Sequence, residues 1–476
     1  MVEEESFYED TDTGDETGED PSDDSCYYIS EKMSEWDSLP HVCLQHVFRL
    51  LPDRDRRSAA LVCHHWHKVM RSPSLWRTRS FHFTGRLNKY KQSEYNYAVG
   101  YALNLGVYLE RLEVSVWPPR KRFIAKTLEE TISGLLAALI SVQAQLRSFS
   151  LVKLELDRTS WTSRNRKALM MSLHVFLQRG ASKLTSISLN WMQNSIHQGL
   201  ELLSALLHSQ RRVNPRYYIS SLDLEGFFSM EVNVRLNPIM HHSMRNLQGL
   251  TELRLSYSCL SDELLMALQS RHTSGQLSST RNGNSLQTLS FHCALIEPHL
   301  QVVRGGSWAS LVSSCPDLRV KFSVDQLIDT EVLARMLLPE IPLREYSMTA
   351  HYDPEEECSA KPVLCDMLPQ YSRSLQNLNL DMTNCDESLD EELLGLVKVC
   401  ECLEQLTVCA FLEVNTVNRL LHMRLTEKTS LNKISVTIYT IEDDPEEQED
   451  QLEEILCSYL HLPPELEFYA TLYPFV

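Results

Sequence analysis

The sequence lacks three features that would each point to a familiar class of protein. Its longest apolar run, "GLLAALISV" (134–142), is about half the length that a membrane span needs. Its thirteen cysteines follow no regular spacing, so we expect no disulfide framework. It opens with acidic residues, whereas a signal peptide has a basic and then an apolar segment. We therefore expect free thiols and a cytoplasmic or nuclear protein.

Sequence motifs for nucleotide and hydrolase chemistry are also missing. The chain contains neither Gly-x-Gly-x-x-Gly nor Gly-x-x-x-x-Gly-Lys. The stretch "RGGSW" (304–308) does not match the Gly-x-Ser-x-Gly turn of hydrolases. Neither acidic segment has the alternating oxygen ligands of a calcium loop. We expect no cofactor.

A cluster of possible metal ligands stands at 63–67, in the letters "CHHWH". Zinc needs four converging ligands, but on a helix only His64 and His67 would share a face. No second cluster with suitable spacing is present, since Cys400 and Cys402 are too close together for a zinc knuckle. We expect no metal, and we interpret the histidines as exposed polar residues on a helix.

The whole chain has a net charge of −19, and two of its segments contain almost no basic residues. Residues 1–37 contain fifteen acidic residues against Lys32 alone, and residues 442–454 contain nine acidic residues and no basic one. The remainder is close to neutral, so we do not expect nucleic acid as a partner. Residues 1–33 have almost no aliphatic side chains, and we interpret them as a disordered acidic tail.

A repeated pattern, Leu-x-x-Leu-x-Leu, dominates the chain from about residue 105. Its start-to-start spacing of 25–38 residues, with helical stretches between the copies, is typical of a leucine-rich-repeat solenoid. Copies begin at 109, 146, 184, 219, 250, 286, 375, 403 and 431, with degenerate copies at 318 and 343. The stretch "LEFYATLYPF" (466–475) is expected to be the closing strand.

The predicted fold class is α/β, with a small all-α unit of three short helices followed by a solenoid built on a curved parallel sheet. The predicted segments are the acidic tail (1–33), the helical unit (34–80), a linker or first capping element (81–105) and the solenoid (106–476). Loop insertions are predicted at 270–285 and at 441–454, where polar or acidic residues interrupt the repeats, and the second one could run into a helix.

Large apolar residues crowd the helical unit. Leu44, Val47, Phe48 and Leu51 form one stripe on a predicted helix. After a polar break, "PDRDRRS", a second helix is predicted with the same spacing at Ala59, Val62, Cys63 and Trp66, and the pair Leu75–Trp76 follows. So small a unit cannot enclose all these side chains, so some must face a partner or the rest of the chain.

The stretch from Trp36 to Trp76 resembles an F-box, because the spacing from "LP" through "LVC..W" to "LW" is kept without gaps. Two residues depart from the family pattern: Val42 stands where an acidic residue is common, and Arg56 where an apolar one is usual. Arg56 would either weaken the contact or extend its stem along the surface. The matching residues are Leu39, Pro40, Leu44, Val47, Phe48, Leu51, Asp53 to Asp55, Leu61, Val62, Cys63, Trp66, Leu75 and Trp76.

The resemblance implies docking onto the Skp adaptor of an SCF ubiquitin ligase and, through it, onto a cullin scaffold. The repeats would then bind a protein substrate, and the chain would be a non-catalytic adaptor with no nucleic-acid or membrane partner. The residues expected to bind the adaptor are Leu39, Pro40, Leu44, Val47, Phe48, Leu51, Leu61, Val62, Cys63, Trp66, Leu75 and Trp76.

Two alternatives remain open from the sequence. One is an interaction scaffold that binds the adaptor without directing degradation. The other is a hydrolase or transferase within the long C-terminal part, which would require a concave pocket with convergent polar groups and shifted pKa values. The substrate and the repeat surface that binds it are not specified by the sequence.

Overall fold

The structure of the protein is a computed structural model. It describes residue 36 and residues 39–83, 92–229, 234–269, 285–295, 297, 299–326, 329–351, 359–384, 387–426, 429–441, 446–459 and 462–474. The chain divides into two compact units, residues 1–75 and 76–476, called here the front unit and the repeat unit. The predicted acidic tail and all of the predicted 270–285 insertion except Ser285 lie outside the described residues.

The described part of the front unit contains three short α-helices, α1 (His41–Leu50), α2 (Asp53–Ala59) and α3 (His64–Met70), and a 3-10 turn that begins at Pro73. Pro40 and Pro52 directly precede α1 and α2. Proline has a fixed φ and no backbone N–H, so it is well suited to a helix start, where that N–H would have no partner. The helix predicted around the Leu44 stripe is confirmed.

The polar stretch "PDRDRRS" was predicted to be a break between helices, and that prediction is wrong, because the stretch contains most of α2. The next helix begins at His64 rather than near Ala59. Cys63 has an extended backbone, and its Sγ accepts the backbone N–H of Trp66 at 3.4 Å, which caps α3. Leu61 and Val62 therefore lie in the turn between two helices.

The repeat unit contains a sheet of thirteen parallel strands that lie side by side in chain order, which confirms the predicted solenoid. The strands are β1 (Thr78–Phe83), β2 (Arg111–Val116), β3 (Ser148–Val152), β4 (Ser186–Ser188), β5 (Ser221–Leu224), β6 (Glu252–Ser256), β7 (Thr288–Ala294), β8 (Arg319–Asp325), β9 (Leu343–His351), β10 (Asn377–Thr383), β11 (Gln405–Ala410), β12 (Lys433–Thr440) and β13 (Glu467–Pro474).

The repeated leucines set the register of this sheet. Side chains alternate between the two faces of a strand, so the apolar positions of each copy point to one face. On neighbouring strands, Leu222 of β5 lies beside Leu253 of β6, which lies beside Leu289 of β7, and all three are buried. The strands thus stack equivalent positions into continuous apolar rows.

Helices that follow the strands cover the apolar face of the sheet. Leu128, Leu135 and Leu139 of α5 are buried, so the apolar run "GLLAALISV" packs into the core of the repeats. No described helix is long and apolar enough to span a membrane. The helices are α4 (Gln92–Leu105), α5 (Arg122–Ser141), α6 (Ser163–Arg179), α7 (Ile196–Gln210), α8 (Pro238–Asn246), α9 (Asp262–Gln269), α10 (Gly305–Ser314), α11 (Thr330–Met336), α12 (Asp390–Val399), α13 (Val414–Leu425) and α14 (Glu446–Ser458).

The segment boundaries differ from the predicted ones at three places. The compact front unit ends at Leu75, and β1 contains residues 78–80, which were assigned to the helical unit. Residues 81–105, predicted as a linker or cap, contain the end of β1 and all of α4. Within the predicted 441–454 loop, residues 446–454 are helical because they form most of α14.

Candidate functional site

Three of the twelve side chains predicted to bind the adaptor lie in the core of the front unit. Leu44 and Phe48 are 0% exposed, and Leu75 is also buried. The Phe48 ring packs edge-on against Trp66, with 5.0 Å between the ring centroids. In the folded unit these three offer no surface to a partner, so they hold the helices that present the other side chains.

The remaining predicted side chains are exposed or half-buried. Leu61 is 85% exposed and Val62 is 61% exposed, because the turn that carries them projects away from the core. Exposure of two adjacent large aliphatic side chains is unfavourable in water and is typical of an interface. Pro40 and Val47 are also exposed, and the half-buried members are Leu39, Leu51, Cys63, Trp66 and Trp76.

Sequence reasoning missed two exposed apolar residues of α1. Leu50 is 86% exposed, and Val42 is exposed as well. Leu50 lies three residues after Val47, and residues at that spacing are neighbours on a helix surface. Both residues lie outside the apolar stripe that contains Leu44. An apolar side chain outside such a stripe is the sequence signal that would have identified them as exposed.

Arg56, at a position that is usually apolar in the F-box pattern, binds the end of α1. Its guanidinium donates to the carbonyl oxygens of Phe48 (2.9 Å), Arg49 (3.0 Å) and Leu75 (3.1 Å). The last carbonyls of a helix have no partner within the helix, and a cation is favourable there. Arg56 therefore joins α1 to the end of the front unit instead of only extending along its surface.

Two of the three histidines of α3 form hydrogen bonds with the backbone. A ring nitrogen of His65 lies 3.2 Å from the Leu39 carbonyl oxygen, and one of His67 lies 3.1 Å from that of Ala60. His64 and His67 are exposed, as predicted, and His65 is half-buried. Among the described residues, no group of three or more His, Cys, Asp or Glu side chains could hold a metal ion.

One cysteine–histidine pair in the repeat unit has the composition of a nucleophilic site. The Cys293 Sγ lies 3.0 Å from Nε2 of His299. Burial raises the pKa of the Cys293 thiol and lowers the pKa of His299, so both groups are held neutral. A nucleophilic cysteine needs a lowered pKa and an accessible sulfur, but Cys293 is fully buried. This pair therefore does not support a hydrolase.

The outward face of the sheet is polar and carries paired charges. Arg254 lies 3.8 Å from Asp223 on the adjacent strand, and Lys321 lies 2.5 Å from Glu345. Ser290 stands between the two cations in the same row. This row, which helps to line an open cavity of about 310 Å³, is a hydrophilic surface without an evident reactive group.

Comparisons with known proteins match both parts of this description. Residues 36–82 match the model of the F-box-like family. The chain is 25% identical to F-box/LRR-repeat protein 21 of Bos taurus over 300 residues, which cover 62% of this chain and 60% of that protein. It is 26% identical to the Ovis aries protein of the same name over 290 residues, which cover 60% and 59%.

A shorter match to F-box/LRR-repeat protein 21 of Mus musculus is 34% identical over 61 residues, or 13% of this chain and 14% of that protein. Among solved structures, a chain from the crystal structure of the Rad7 and Elc1 complex in yeast aligns with a TM-score of 0.36 and 12% identity. The alignment covers 80% of this chain and 91% of that one.

The two longer alignments span about three-fifths of the length of the curated relatives that they match. Together with the thirteen-stranded parallel sheet, they support an F-box/LRR protein, in which an F-box-like region precedes a leucine-rich-repeat solenoid.

Proposed function

We propose that this protein is the substrate-recognition subunit of an SCF (Skp–cullin–F-box) E3 ubiquitin ligase. The front unit binds the Skp adaptor and, through it, the cullin scaffold. The repeat unit binds a protein substrate and presents it for ubiquitin transfer and proteasomal degradation. The F-box-like match and the F-box/LRR relatives support this proposal.

The observation that carries the proposal is the set of large aliphatic side chains left exposed by the front unit. Leu50, Leu61 and Val62 are more exposed than buried, whereas Leu44, Phe48 and Leu75 of the same unit are buried. Transfer of one such side chain out of water contributes about 1.5–3 kcal/mol. A few anchors of this kind dominate a protein interface of roughly 1,600 Å².

Such a subunit needs no catalytic chemistry of its own. It raises the effective concentration of the substrate lysine near the ubiquitin-charged enzyme. We propose a non-catalytic protein of the cytoplasm, the nucleus or both, with no cofactor. The stretches "YSCLSDELL" (257–265) and "ESLDEELLGLV" (387–397) also resemble F-box only protein 39, and we propose a relationship to that protein.

The adaptor contact is tested by co-expression with the adaptor and quantitative pull-down. We expect Leu50→Glu combined with Leu61→Glu to weaken binding by roughly thirtyfold or more, which corresponds to about 2 kcal/mol at an interface anchor. The matched control is Leu295→Glu combined with Leu300→Glu, which charges two exposed leucines of the repeat unit. Equal adaptor recovery by the two double variants would contradict the assignment.

A second measurement separates a ligase subunit from a scaffold. Proximity labelling of the full chain is compared with and without a proteasome inhibitor. Substrate recruitment is supported by partners that accumulate only when the proteasome is inhibited. The Leu50→Glu/Leu61→Glu variant should no longer lower the amount of these partners. Normal adaptor binding with no such partner supports the scaffold.

A further inference from the structure

A cavity of about 470 Å³ opens where β1–β4 end, on one rim of the repeat unit. Two tryptophans line it: Trp117, directly after β2, and Trp191, three residues after β4. Trp117 is 64% exposed, although its backbone N–H is held by the Phe83 carbonyl at 2.7 Å. A large aromatic side chain fixed at its backbone and open to solvent is typical of a binding anchor. This cavity is called here the tryptophan pocket.

The Trp191 wall of the pocket is held rigidly. The indole N–H donates to Oε1 of Glu225 at 3.2 Å, and the ring packs edge-on against His292 at 5.5 Å. Gly226 has a left-handed backbone (φ 60°), and a Cβ there would come within 2.9 Å of the Trp191 ring. The absence of a side chain at Gly226 therefore permits close packing against the indole. These contacts hold the Trp191 ring in place as one wall of the pocket.

Three residues that line the pocket have left-handed backbone conformations: Lys153 (φ 63°), Glu155 (φ 46°) and Trp191 (φ 52°). For residues other than glycine, such a conformation is unfavourable by about 1–3 kcal/mol. It persists here because the backbone N–H groups of all three donate to carbonyl oxygens of the next repeat, at 2.7–3.1 Å. Strain of this kind concentrates at binding sites.

Four exposed cations lie in the pocket wall or directly after a chain segment that lines it. The stretch "WPPRKR" places Arg120, Lys121 and Arg122 directly after Trp117 and two prolines, and all three are exposed. Lys153, which lines the pocket, is a fourth exposed cation. Within the described part of the chain, these four cations have no carboxylate partner, whereas Arg158 of the same pocket is paired with Glu155.

We propose that the tryptophan pocket binds an acidic segment of a partner protein, with a large apolar side chain of that segment between the tryptophans. This inference rests on the proposed function, since it assigns a chemistry to the protein that the repeats recruit. Charge complementarity selects the occupant: acidic side chains that flank the apolar one would face Arg120, Lys121, Arg122 and Lys153. A nucleic acid is disfavoured because four local cations stand on a chain of net charge −19.

The test uses the purified full chain and a fluorescein-labelled synthetic peptide in which three glutamates precede and three follow a single phenylalanine. Fluorescence anisotropy should show saturable binding. We expect at least a tenfold loss for Trp117→Ala, and again for Arg120→Ser, Lys121→Ser and Arg122→Ser combined. The same loss is expected when the peptide has glutamine for glutamate or alanine for phenylalanine.

Matched controls remove comparable groups elsewhere in the repeat unit. Tyr469→Ala removes another exposed aromatic side chain, and Arg211→Ser, Arg212→Ser and Arg216→Ser combined remove three other exposed cations. Binding of the peptide should be unchanged in both. Equal loss in a control and in its pocket counterpart would overturn the proposal.

Two other occupants are separate outcomes that would also overturn it. One is tighter binding of a ten-residue oligothymidine than of the peptide. The other is peptide binding only after residues 1–35 are removed, which would assign the pocket to the chain's own acidic segment. Adaptor pull-down on the same variants is a separate readout, because a failed peptide assay with intact adaptor binding refutes the pocket alone.

Discussion

The front unit and the repeat unit differ in how completely they bury their leucine side chains. In the repeats, leucines at equivalent strand positions, such as Leu222 and Leu253, are buried between neighbouring copies. In the front unit, Leu44 is enclosed, but Leu50 and Leu61 on the same small unit are exposed. Stacked repeats can bury one leucine after another, whereas three short helices enclose only a few. The same residue type is therefore core in one unit and surface for a partner in the other.

The largest expected effect tests the small core of the front unit. Phe48→Ala removes a fully buried ring that packs against Trp66, and such a truncation destabilises a protein by about 3–5 kcal/mol. We expect the front unit to unfold and become sensitive to protease, with little change in the repeats. Hydrogen exchange followed by mass spectrometry measures both units in one sample. Equal loss of protection in the repeats would mean that the two units do not fold independently.

A second experiment tests the repeat unit through pH. Glu297 is buried, which raises its pKa to about 7, and its carboxylate accepts the backbone N–H of Ser258 at 3.0 Å. Because the folded-state pKa lies above the unfolded value near 4.5, the group contributes most to stability below pH 4.5. That contribution is lost as the pH rises to about 7.

We expect the free energy of unfolding of the repeats to show this decline in wild type and a flatter profile in Glu297→Gln. Denaturant titrations between pH 4.5 and 8 provide the measurement, and Glu263→Gln, at an exposed acid in α9, is the control. An identical pH dependence in Glu297→Gln and wild type would show that Glu297 does not titrate in this range.

An intermediate effect is expected at the junction that closes the front unit. Arg56→Met keeps an apolar stem but removes the donors to the carbonyl oxygens of Phe48, Arg49 and Leu75. We expect destabilisation of the front unit by about 1–3 kcal/mol, since the hydrogen bonds come from a charged group. Hydrogen exchange of the front-unit peptides, followed by mass spectrometry, measures this loss. A more stable Arg56→Met variant would show that an apolar residue, as is usual at this position of the F-box pattern, stabilises the front unit more than Arg56 does.

The smallest expected effect gives the most direct test of the difference between exposed leucines in the front unit and buried leucines in the repeats. Leu50→Ser and Leu61→Ser should each change stability by about 0.5 kcal/mol or less, because both side chains already face water. Leu253→Ser in β6, the matched substitution in the repeats, should destabilise by several times as much, since it places a hydroxyl in an apolar row. Chemical denaturation of the three variants gives the comparison. Comparable losses in all three would refute the assignment of Leu50 and Leu61 to the surface.

The repeats were predictable because one short pattern recurs with every strand. All eleven copies of the pattern correspond to strands, from β2 to β12. Strand β1, "TRSFHF", escaped prediction because it contains no leucine, and α2 escaped because its sequence, "DRDRRSA", has almost no apolar periodicity. These two elements depend on their neighbours more than on their own sequence.

The front-unit surface was only partly predictable, for a geometric reason. A helical stripe identifies which residues share a face, but it does not say how much of that face the next helix covers. Leu44 and Val47 belong to one predicted stripe, yet Leu44 is buried and Val47 is exposed. The hydrogen bonds of Arg56 were not predictable from the sequence either, because its carbonyl partners lie 7, 8 and 19 residues away in the chain.

The strict chain order of the thirteen strands has a mechanical consequence. Each internal strand is bonded only to the strand before it and the strand after it, so no long-range crossover locks the two ends of the sheet together. Tension applied to the C-terminus should therefore peel β13 first and then its neighbours in succession, as a ladder of small rupture events rather than one large one.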